Sequence, residues 1–191
     1  MNYAGGTPAF LLHNGITVAA ISYRLTCSGV TGREMMEDVS DAVDFIKRTA
    51  ANNEWSWKID PNKIILLGAS AGGHLSLLAS FHKRDPSIRG VVSMYGPTEL
   101  RHEQLFEKSI SAYEQFAMPF YVYGIQRVCS GLLYTSTTSK NATALAEEVK
   151  TCMEDLSPVA KAHSESPPIL LIHGQQDPIV PVAHGKAFVF C

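Results

Sequence analysis

The sequence has 191 residues, which is enough for one domain with a sizeable hydrophobic core. Its apolar content of 46% and charged content of 18% are ordinary for a globular protein, and no apolar run approaches the length of a membrane span. The net charge of −2 gives no reason to expect a nucleic acid or an anionic membrane as a partner. Residues 1–12 lack the basic start and apolar stretch of a signal peptide, which slightly favours a cytoplasmic protein.

Strands and helices are predicted to alternate along most of the chain. An almost continuous apolar run at 16–22 is typical of a strand that is buried on both faces. Apolar residues at helical spacing predict a helix over 35–50. A short apolar strand at 64–67 then leads directly into a helix over 71–81, and a further apolar strand follows at 88–94.

The last predicted strand, at 169–172, completes an α/β pattern. This order of elements predicts a three-layer sandwich with a mainly parallel sheet and helices on both faces. We expect 64–67 to be the central strand, between 16–22 and 88–94. In such sheets ligands bind beyond the carboxyl ends of the strands, so residues that follow strand ends are the first candidates for a site.

Residues 98–157 interrupt this alternation. Helices are predicted at 103–113 and 143–153, with an aromatic stretch at 116–123 between them. The aromatic side chains either line an acyl pocket or form a small satellite core, and the sequence leaves both readings open. We expect residues 1–191 to form a single, incomplete domain in which 98–157 is a cap-like insertion.

The cysteines give little functional information. Their spacing is not that of a metal site, and we expect neither a metal nor another cofactor. Cys129 and Cys152 are able to pair in an oxidising compartment, but the absence of a secretion signal favours free thiols.

The most informative motif is Gly68-Ala69-Ser70-Ala71-Gly72, which stands between a predicted strand and a predicted helix. This context is typical of a nucleophile elbow, in which a serine occupies the tip of a strained turn with its hydroxyl exposed. Two glycines are expected to remove side chains that would clash across the turn. The Ala71 N–H at the start of the helix is then free to stabilise an oxyanion. The alternative is a glycine-rich turn with a solvated serine.

The extended motif, Gly-x-Ser-Ala-Gly-Gly-His, resembles the carboxylesterase/lipase-like branch of the α/β-hydrolase superfamily. A second block, from Pro167 to Pro181, is similar to the strand and loop that carry the acidic triad residue of that family, which is Asp177 here. A third block ends in Tyr23-Arg24, as the corresponding family strand does. The resemblance implies a cofactor-free serine hydrolase acting on small carboxylic esters, with Ser70 as nucleophile and Asp177 as the residue that orients a histidine base.

The catalytic base is missing from the expected place. His184 follows Asp177 by only seven residues. The family histidine lies after a further parallel strand, which needs a crossover of about a dozen residues. We therefore expect His184 to lie on the next helix and not to act as base. His173 and His74 are interpreted as structural residues.

The oxyanion loop is missing in the same way. The family supplies its second oxyanion donor from a His-Gly-Gly-type loop, and Gly5-Gly6 has neither the histidine nor a preceding strand. That pair is expected to lead into a short helix around 8–12. Both gaps suggest a hydrolase domain that is truncated at both ends and is weakly active or inactive in this form.

Two other functions remain open. A non-catalytic, hydrolase-like protein would bind a small molecule or a partner through its exposed sheet edges. An amidase or formamidase would use the same residues on a different bond, because the triad attacks esters and amides alike. The sequence does not determine the acyl group, the alcohol group or the oligomeric state.

Overall fold

The computed structural model describes residues 6–25, 29–52, 59–101, 128–129 and 150–189. The helices are α1 (Gly6–His13), α2 (Gly32–Ala51), α3 (Ala71–Lys83) and α4 (Ala183–Val189), and the strands are β1 (Ile64–Ala69), β2 (Ile88–Met94) and β3 (Ile169–Ile172). Residues 150–155 are also helical, and Pro158–Ala160 forms a 3-10 turn. The predicted cap helix at 103–113 and the aromatic stretch at 116–123 lie outside the described residues.

The three strands form one parallel sheet in the order β1-β2-β3. Their carboxyl ends are aligned, because Ala69 pairs with Met94, and Met94 pairs with Ile172. The parallel arrangement confirms the predicted fold class. Among the described strands, however, β2 is central and β1 lies at the edge, whereas the sequence predicted that the strand at 64–67 would be central.

The strand predicted at 16–22 is not formed. Residues 16–25 have no ladder partner within the described chain, and the side chains of Ile16 and Ile21 are about half exposed. The segment is anchored instead at its end, where the Arg24 guanidinium donates to both carboxylate oxygens of Asp38 on α2. Apolar character alone predicted burial on both faces, but a strand also needs a neighbouring backbone to pair with.

Helix α2 begins with a capping box and buries one apolar stripe. The Thr31 side chain accepts from Glu34 N–H, and the Glu34 carboxylate accepts from Thr31 N–H. Two backbone N–H groups at the start of the helix therefore have acceptors. Three residues of the predicted apolar face, Met36, Val39 and Val43, are buried in the core that α2 shares with α3, and Met35 is buried beside them. The fourth predicted residue, Ile46, is only half-buried. Helix α3 lies between α2 and the sheet, and its own Leu75 and Leu77 are almost fully buried.

The opposite face of the sheet carries exposed apolar side chains. Ile65 is 61% exposed and Leu170 is 55% exposed, and their strand neighbours Leu67 and Ile172 are also exposed. Alternate residues of the same strands, such as Leu66, are buried under α3. Helices therefore cover one face of the described sheet and leave the other accessible to solvent.

Cys129 and Cys152 form a disulfide bond, contrary to the expectation of free thiols. Their Cα atoms are 5.7 Å apart, a separation typical of disulfides, and both residues pack against the hydrophobic core. Gly32 allows this close packing, since a Cβ there would lie 2.5 Å from Val128 Cγ1 and 2.6 Å from Leu156 Cδ1. No described helix is long and apolar enough to span a membrane.

Candidate active site

The candidate catalytic residues gather at one edge of the sheet. Ser70 follows β1 directly, and its N–H donates to Met94 O at 2.9 Å. Asp177 lies in the loop after β3, five residues beyond Ile172. Since all three strands are parallel, Ser70 and Asp177 lie at the same carboxyl edge, as predicted.

Ser70 occupies a strained turn between β1 and α3. Its φ of 52° and ψ of −122° are unusual for a residue with a side chain. Such conformations cost about 1–3 kcal/mol and are retained where the surrounding structure enforces them, commonly at active sites. The turn that the motif predicts is therefore present, and Ser70 is the residue at its tip.

The two glycines of the motif have unequal roles. A Cβ at Gly68 would lie 2.2 Å from the backbone carbon of Gly72, so any side chain at Gly68 would collide with the start of α3. A Cβ at Gly72 would meet no described atom within 4 Å. A steric clash across the turn thus explains why position 68 is a glycine. It does not explain the glycine at position 72, contrary to our interpretation of the motif.

The first turn of α3 provides the oxyanion candidate. Ala71 N–H has no acceptor among the described residues, as expected for the first amide of a helix. The positive end of the helix dipole points in the same direction and favours negative charge near Ser70. Ala71 stays a predicted oxyanion donor.

His74 fastens α3 to the loop after β2. Its Nδ1 lies 2.8 Å from Pro97 O, so this nitrogen carries the hydrogen and donates it. Burial lowers the pKa of His74 to about 4, while the hydrogen bond to Pro97 acts in the opposite direction. Gly96 allows the close approach, since a Cβ there would lie 2.8 Å from His74 N. The expectation that His74 is structural agrees with this geometry.

Asp177 is held by its own loop. One carboxylate oxygen, Oδ1, accepts from the N–H groups of Ile179 and Val180, each at 2.9 Å. The other oxygen, Oδ2, lies 3.8 Å from Nε2 of His173, which in turn donates to Val180 O at 2.7 Å. The carboxylate is thereby oriented through one oxygen, and the second has no shorter described contact.

His184 is fully buried on α4 and accepts two backbone hydrogen bonds. Its Nδ1 lies 3.2 Å from Thr98 N and 3.3 Å from Glu99 N, and its carbonyl accepts from Thr98 Oγ1 at 2.5 Å. Burial, assisted by His173 and His74, lowers the pKa of His184 to about 4. The ring is therefore neutral and is engaged at Nδ1, on the helix where the sequence placed it.

The described residues do not include a base for Ser70. No hydrogen bond joins a described histidine nitrogen to Ser70 Oγ, and one ring nitrogen of each of His74, His173 and His184 is engaged with a backbone group. The axes of β1 and β3 are separated by β2, which places them about 10 Å apart. A group of imidazole size would be needed between Ser70 and Asp177 to link them.

Glu99 is a buried charge that sequence analysis did not identify. It is 3% exposed and accepts from Arg101 and from Ser157 Oγ. Burial by itself raises the pKa of Glu99, but the hydrogen bonds from Arg101 and Ser157 together outweigh it and leave that pKa lowered. The only signal in the sequence is the arginine two residues later, which does not indicate burial. No described cluster of His, Cys, Asp and Glu has the arrangement of a metal site.

A family model described as BD-FAE matches residues 1–190, which is nearly the whole chain. The chain belongs to the BD-FAE family. The probable carboxylic ester hydrolase LipM of Mycobacterium tuberculosis (strain ATCC 25618 / H37Rv) is 31% identical over 183 residues, which are 92% of this chain and 37% of LipM. Isoprenylcysteine alpha-carbonyl methylesterase ICME of Arabidopsis thaliana is 28% identical over 178 residues, covering 93% of this chain and 39% of ICME.

Solved esterase structures share the fold of this BD-FAE chain. A truncated carbohydrate esterase from gut microbiota has a TM-score of 0.70 at 21% identity, over 94% of this chain and 62% of the other. An acetyl ester-xyloside bifunctional hydrolase from Caldicellulosiruptor lactoaceticus has a TM-score of 0.64 at 21% identity, over 96% of this chain and 59% of the other. These similarities confirm an α/β-hydrolase fold. The chain spans less than two-fifths of the length of LipM and of ICME.

Proposed function

We propose that this BD-FAE chain carries the nucleophile and the acid of a serine carboxylic-ester hydrolase. Ser70 attacks the ester carbonyl, and Asp177 orients the histidine that takes the serine proton. The names of the relatives point to esters as substrates. The hydrogen bonds that orient the Asp177 carboxylate within its own loop support its role as the acid. The proposed substrate is a small carboxylic ester, and no metal or other cofactor takes part.

The strained backbone of Ser70 is the observation that carries this proposal. A φ of 52° at a serine, with Gly68 held against the start of α3, has no use in a simple strand-to-helix connection. It has a use in presenting Oγ beyond the sheet edge, next to a free helix amide. The alcohol leaves as the acyl-serine ester forms, and water then releases the acid and regenerates Ser70.

The Ala71 N–H is proposed to stabilise the oxyanion of each tetrahedral intermediate. One such donor contributes about a hundred- to a thousandfold in rate, and a general base contributes about a hundred- to ten-thousandfold. The described residues supply one donor and no base. We therefore expect slow turnover from the 191-residue chain relative to an esterase with both features.

A fluorophosphonate probe tests the nucleophile directly, because it phosphonylates a nucleophilic serine at an oxyanion site far faster than an ordinary serine. We expect slow, stoichiometric labelling of Ser70, located by peptide mass spectrometry, with slow hydrolysis of short-chain p-nitrophenyl esters. Ser70→Ala should abolish both, and Ser76→Ala, which alters a buried serine one turn and a half along α3, should not. Labelling that persists in Ser70→Ala, or its absence from the folded wild-type chain, would contradict the proposal.

A further inference from the structure

His184 lies where three parts of the site meet. Its ring accepts from the first residues after the Pro97 loop, its helix follows the Asp177 loop, and its carbonyl accepts from Thr98 Oγ1. Both His184 and Thr98 are almost completely buried. A histidine is not needed merely to fill this space, whereas its ring nitrogen satisfies two backbone amides that would otherwise be buried without an acceptor.

The residues beyond Thr98 are held to the far end of the 98–157 segment. Thr98 O accepts from Val159 N–H at 3.0 Å, and Leu100 N–H donates to Ser157 Oγ at 2.8 Å. Ser157 Oγ also contacts Glu99 at 3.0 Å. Both ends of the 98–157 segment are therefore closed against each other at the position where His184 accepts.

On its other side, His184 is connected to Asp177 through His173. The His173 ring packs against the start of α4, since a Cβ at Gly185 would lie 3.6 Å from His173 Nδ1. The same ring donates to Val180 O, and Val180 N–H donates to Asp177. A continuous set of contacts thus runs from Thr98 through α4 to the carboxylate.

We infer that His184 is a positioning residue, which braces the Asp177 loop against the base of the 98–157 segment through the acceptor nitrogen Nδ1. The inference rests on the proposed function, because it concerns the orientation of the proposed acid. Nδ1 accepts only when it is unprotonated, and burial favours that form. Among the described residues, the titratable groups that act on the ring are His173, His74, Glu99 and Asp177.

Two substitutions separate the acceptor role from space filling. His184→Ala removes the acceptor, whereas His184→Asn places Oδ1 near the position of Nδ1 and does not titrate. His82→Ala is the matched control, because His82 is an exposed histidine on α3. Amide hydrogen exchange of the full chain, followed by NMR at pH 7.5, reports the brace without requiring activity.

In His184→Ala we expect exchange at Thr98 and Glu99 to rise by about tenfold, as expected for the loss of two hydrogen bonds. The inference requires a comparable rise at Ile179 and Val180, whose N–H groups bind Asp177. His184→Asn and His82→Ala should remain within about threefold of wild type at all four amides. A rise confined to Thr98 and Glu99 would overturn the inference, since His184 would then be a local cap only.

If His184→Ala does not fold, the His184→Asn variant still tests the inference. Amide protection equal to wild type, both at Thr98 and Glu99 and at Ile179 and Val180, supports the acceptor role of Nδ1. Lost protection in a folded Asn variant overturns it. Long-range ¹H–¹⁵N spectra of wild type should also show His184 with a bare Nδ1 and a protonated Nε2. A protonated Nδ1 at neutral pH would contradict the brace.

Fluorophosphonate labelling then connects the brace to the proposed reaction. We expect the maximal labelling rate of His184→Ala to fall about 10- to 100-fold with little change in the half-saturating probe concentration, because in the proposed mechanism a misplaced Asp177 no longer orients the histidine that takes the serine proton. The maximal labelling rate of the His184→Asn variant should return to near that of wild type. If wild type and Ser70→Ala are equally unreactive, the proposed function fails while the exchange data still test the brace. Unchanged labelling in a folded His184→Ala protein would show that the brace does not position Asp177.

Discussion

Ser70 stores backbone strain that its neighbours must balance. The turn is closed by Ser70 O, which accepts from His74 N–H at 3.1 Å, and by Ser70 N–H, which donates to Met94 O. Tyr95, at the matching end of β2, also has a positive φ, of 43°. Two strained residues thus stand side by side at the carboxyl edge, and both are held by hydrogen bonds between strand ends.

The unequal space around the two motif glycines leads to a paired prediction. Gly68→Ala should destabilise the protein by about 3 kcal/mol or more, because its methyl group collides with backbone that cannot move away. Gly72→Ala should preserve the fold and stabilise it by up to about 1 kcal/mol, because alanine is the better helix former. Urea unfolding followed by circular dichroism measures both. Equal destabilisation by the two substitutions would show that the turn is not packed as described.

Two buried imidazoles make stability depend on pH. The pKa values of His74 and His184 fall from 6.5 to about 4 on folding, so between these values the unfolded chain binds protons that the native chain does not. Their stabilising contribution is therefore complete above pH 6.5 and is lost as the pH falls toward 4. Each contributes a slope of up to about 1.4 kcal/mol per pH unit in this range.

The prediction is a loss of unfolding free energy between pH 6.5 and 4.5, measured by urea titration at a series of pH values. The double variant His74→Asn/His184→Asn keeps a donor toward Pro97 and an acceptor toward Thr98 but removes both titrations. Its pH dependence over the same range should be clearly weaker, with the remainder contributed by carboxylates whose pKa values are lowered on folding. Carboxylates such as Asp85, whose pKa is lowered to about 2, act at lower pH and serve as an internal reference. A wild-type slope equal to that of the double variant would disprove the buried neutral state.

At the scale of elements, helix α2 holds several parts of the structure together. Its first turn contacts Val128 and Leu156 through the space left by Gly32, and Arg33 forms an ion pair with Asp155. Arg24 binds Asp38 on the same helix from the other side. The Arg33–Asp155 pair is exposed and contributes little, whereas the Arg24–Asp38 pair is bidentate, has a partly buried carboxylate and holds the 16–25 segment. At the first turn of α2, the packing around Gly32 and the disulfide beside it are expected to dominate.

The disulfide between Cys129 and Cys152 gives the third prediction. It joins residues 23 positions apart, and in the chain-entropy model a loop of this length stabilises the native state by about 3 kcal/mol. The oxidised protein should weigh about 2 Da less than the reduced protein, as expected for the loss of two hydrogens. Cys129→Ser/Cys152→Ser should lower the midpoint of thermal unfolding, and a reductant should have the same effect on wild type only. If a reductant lowered the midpoint of thermal unfolding of the double variant as well, another disulfide would be implicated.

At the scale of the whole molecule, one sheet face is packed and the other is exposed. The exposed apolar side chains lie on β1 and β3: Ile65, Leu67, Leu170 and Ile172. Exposed apolar side chains on one sheet face offer a surface to which hydrophobic dyes bind.

We therefore expect the folded chain to enhance the fluorescence of 8-anilinonaphthalene-1-sulfonate. Ile65→Thr/Leu170→Thr, which keeps β-branched or polar strand formers on the exposed face, should reduce this enhancement by at least about half. Leu66→Thr, on the buried face, is the contrasting control and should instead lower stability. Equal dye binding by wild type and the exposed-face variant would place the apolar surface elsewhere.

Much of the fold followed from local sequence patterns. The bounds of β2 and β3 agree with the predicted strands, and α2 and α3 begin and end within three residues of the predicted helices. The helix predicted around 8–12 is present as α1. These elements have strong local signals: an uninterrupted apolar run, an apolar stripe at helical spacing, or a capping residue. The segment 16–22 had such a signal too, but strand formation also depends on a partner.

The candidate site divides in the same way. Ser70 was recognisable because its chemistry requires a particular local turn. That turn requires a glycine at position 68, and the sequence shows this glycine. Asp177 was identified from the resemblance of its block to the acid-bearing strand and loop of the family, together with its place after a strand, and both residues remain proposed catalytic residues. The acceptor role of His184 and the buried charge of Glu99 carried no local signal, since each depends on partners far away in the chain.

The sequence by itself determined the parallel α/β architecture, the strained serine turn and the edge at which the proposed catalytic residues lie. These properties depend on residues within one turn or one strand of each other, so short-range pattern and backbone sterics suffice. Only the tertiary structure decided the strand order, the Cys129–Cys152 bond, the exposed sheet face and the contacts of His184. Each of these depends on which distant segments meet, and it is their packing, not their composition, that sets burial, hydrogen-bond partners and pKa values.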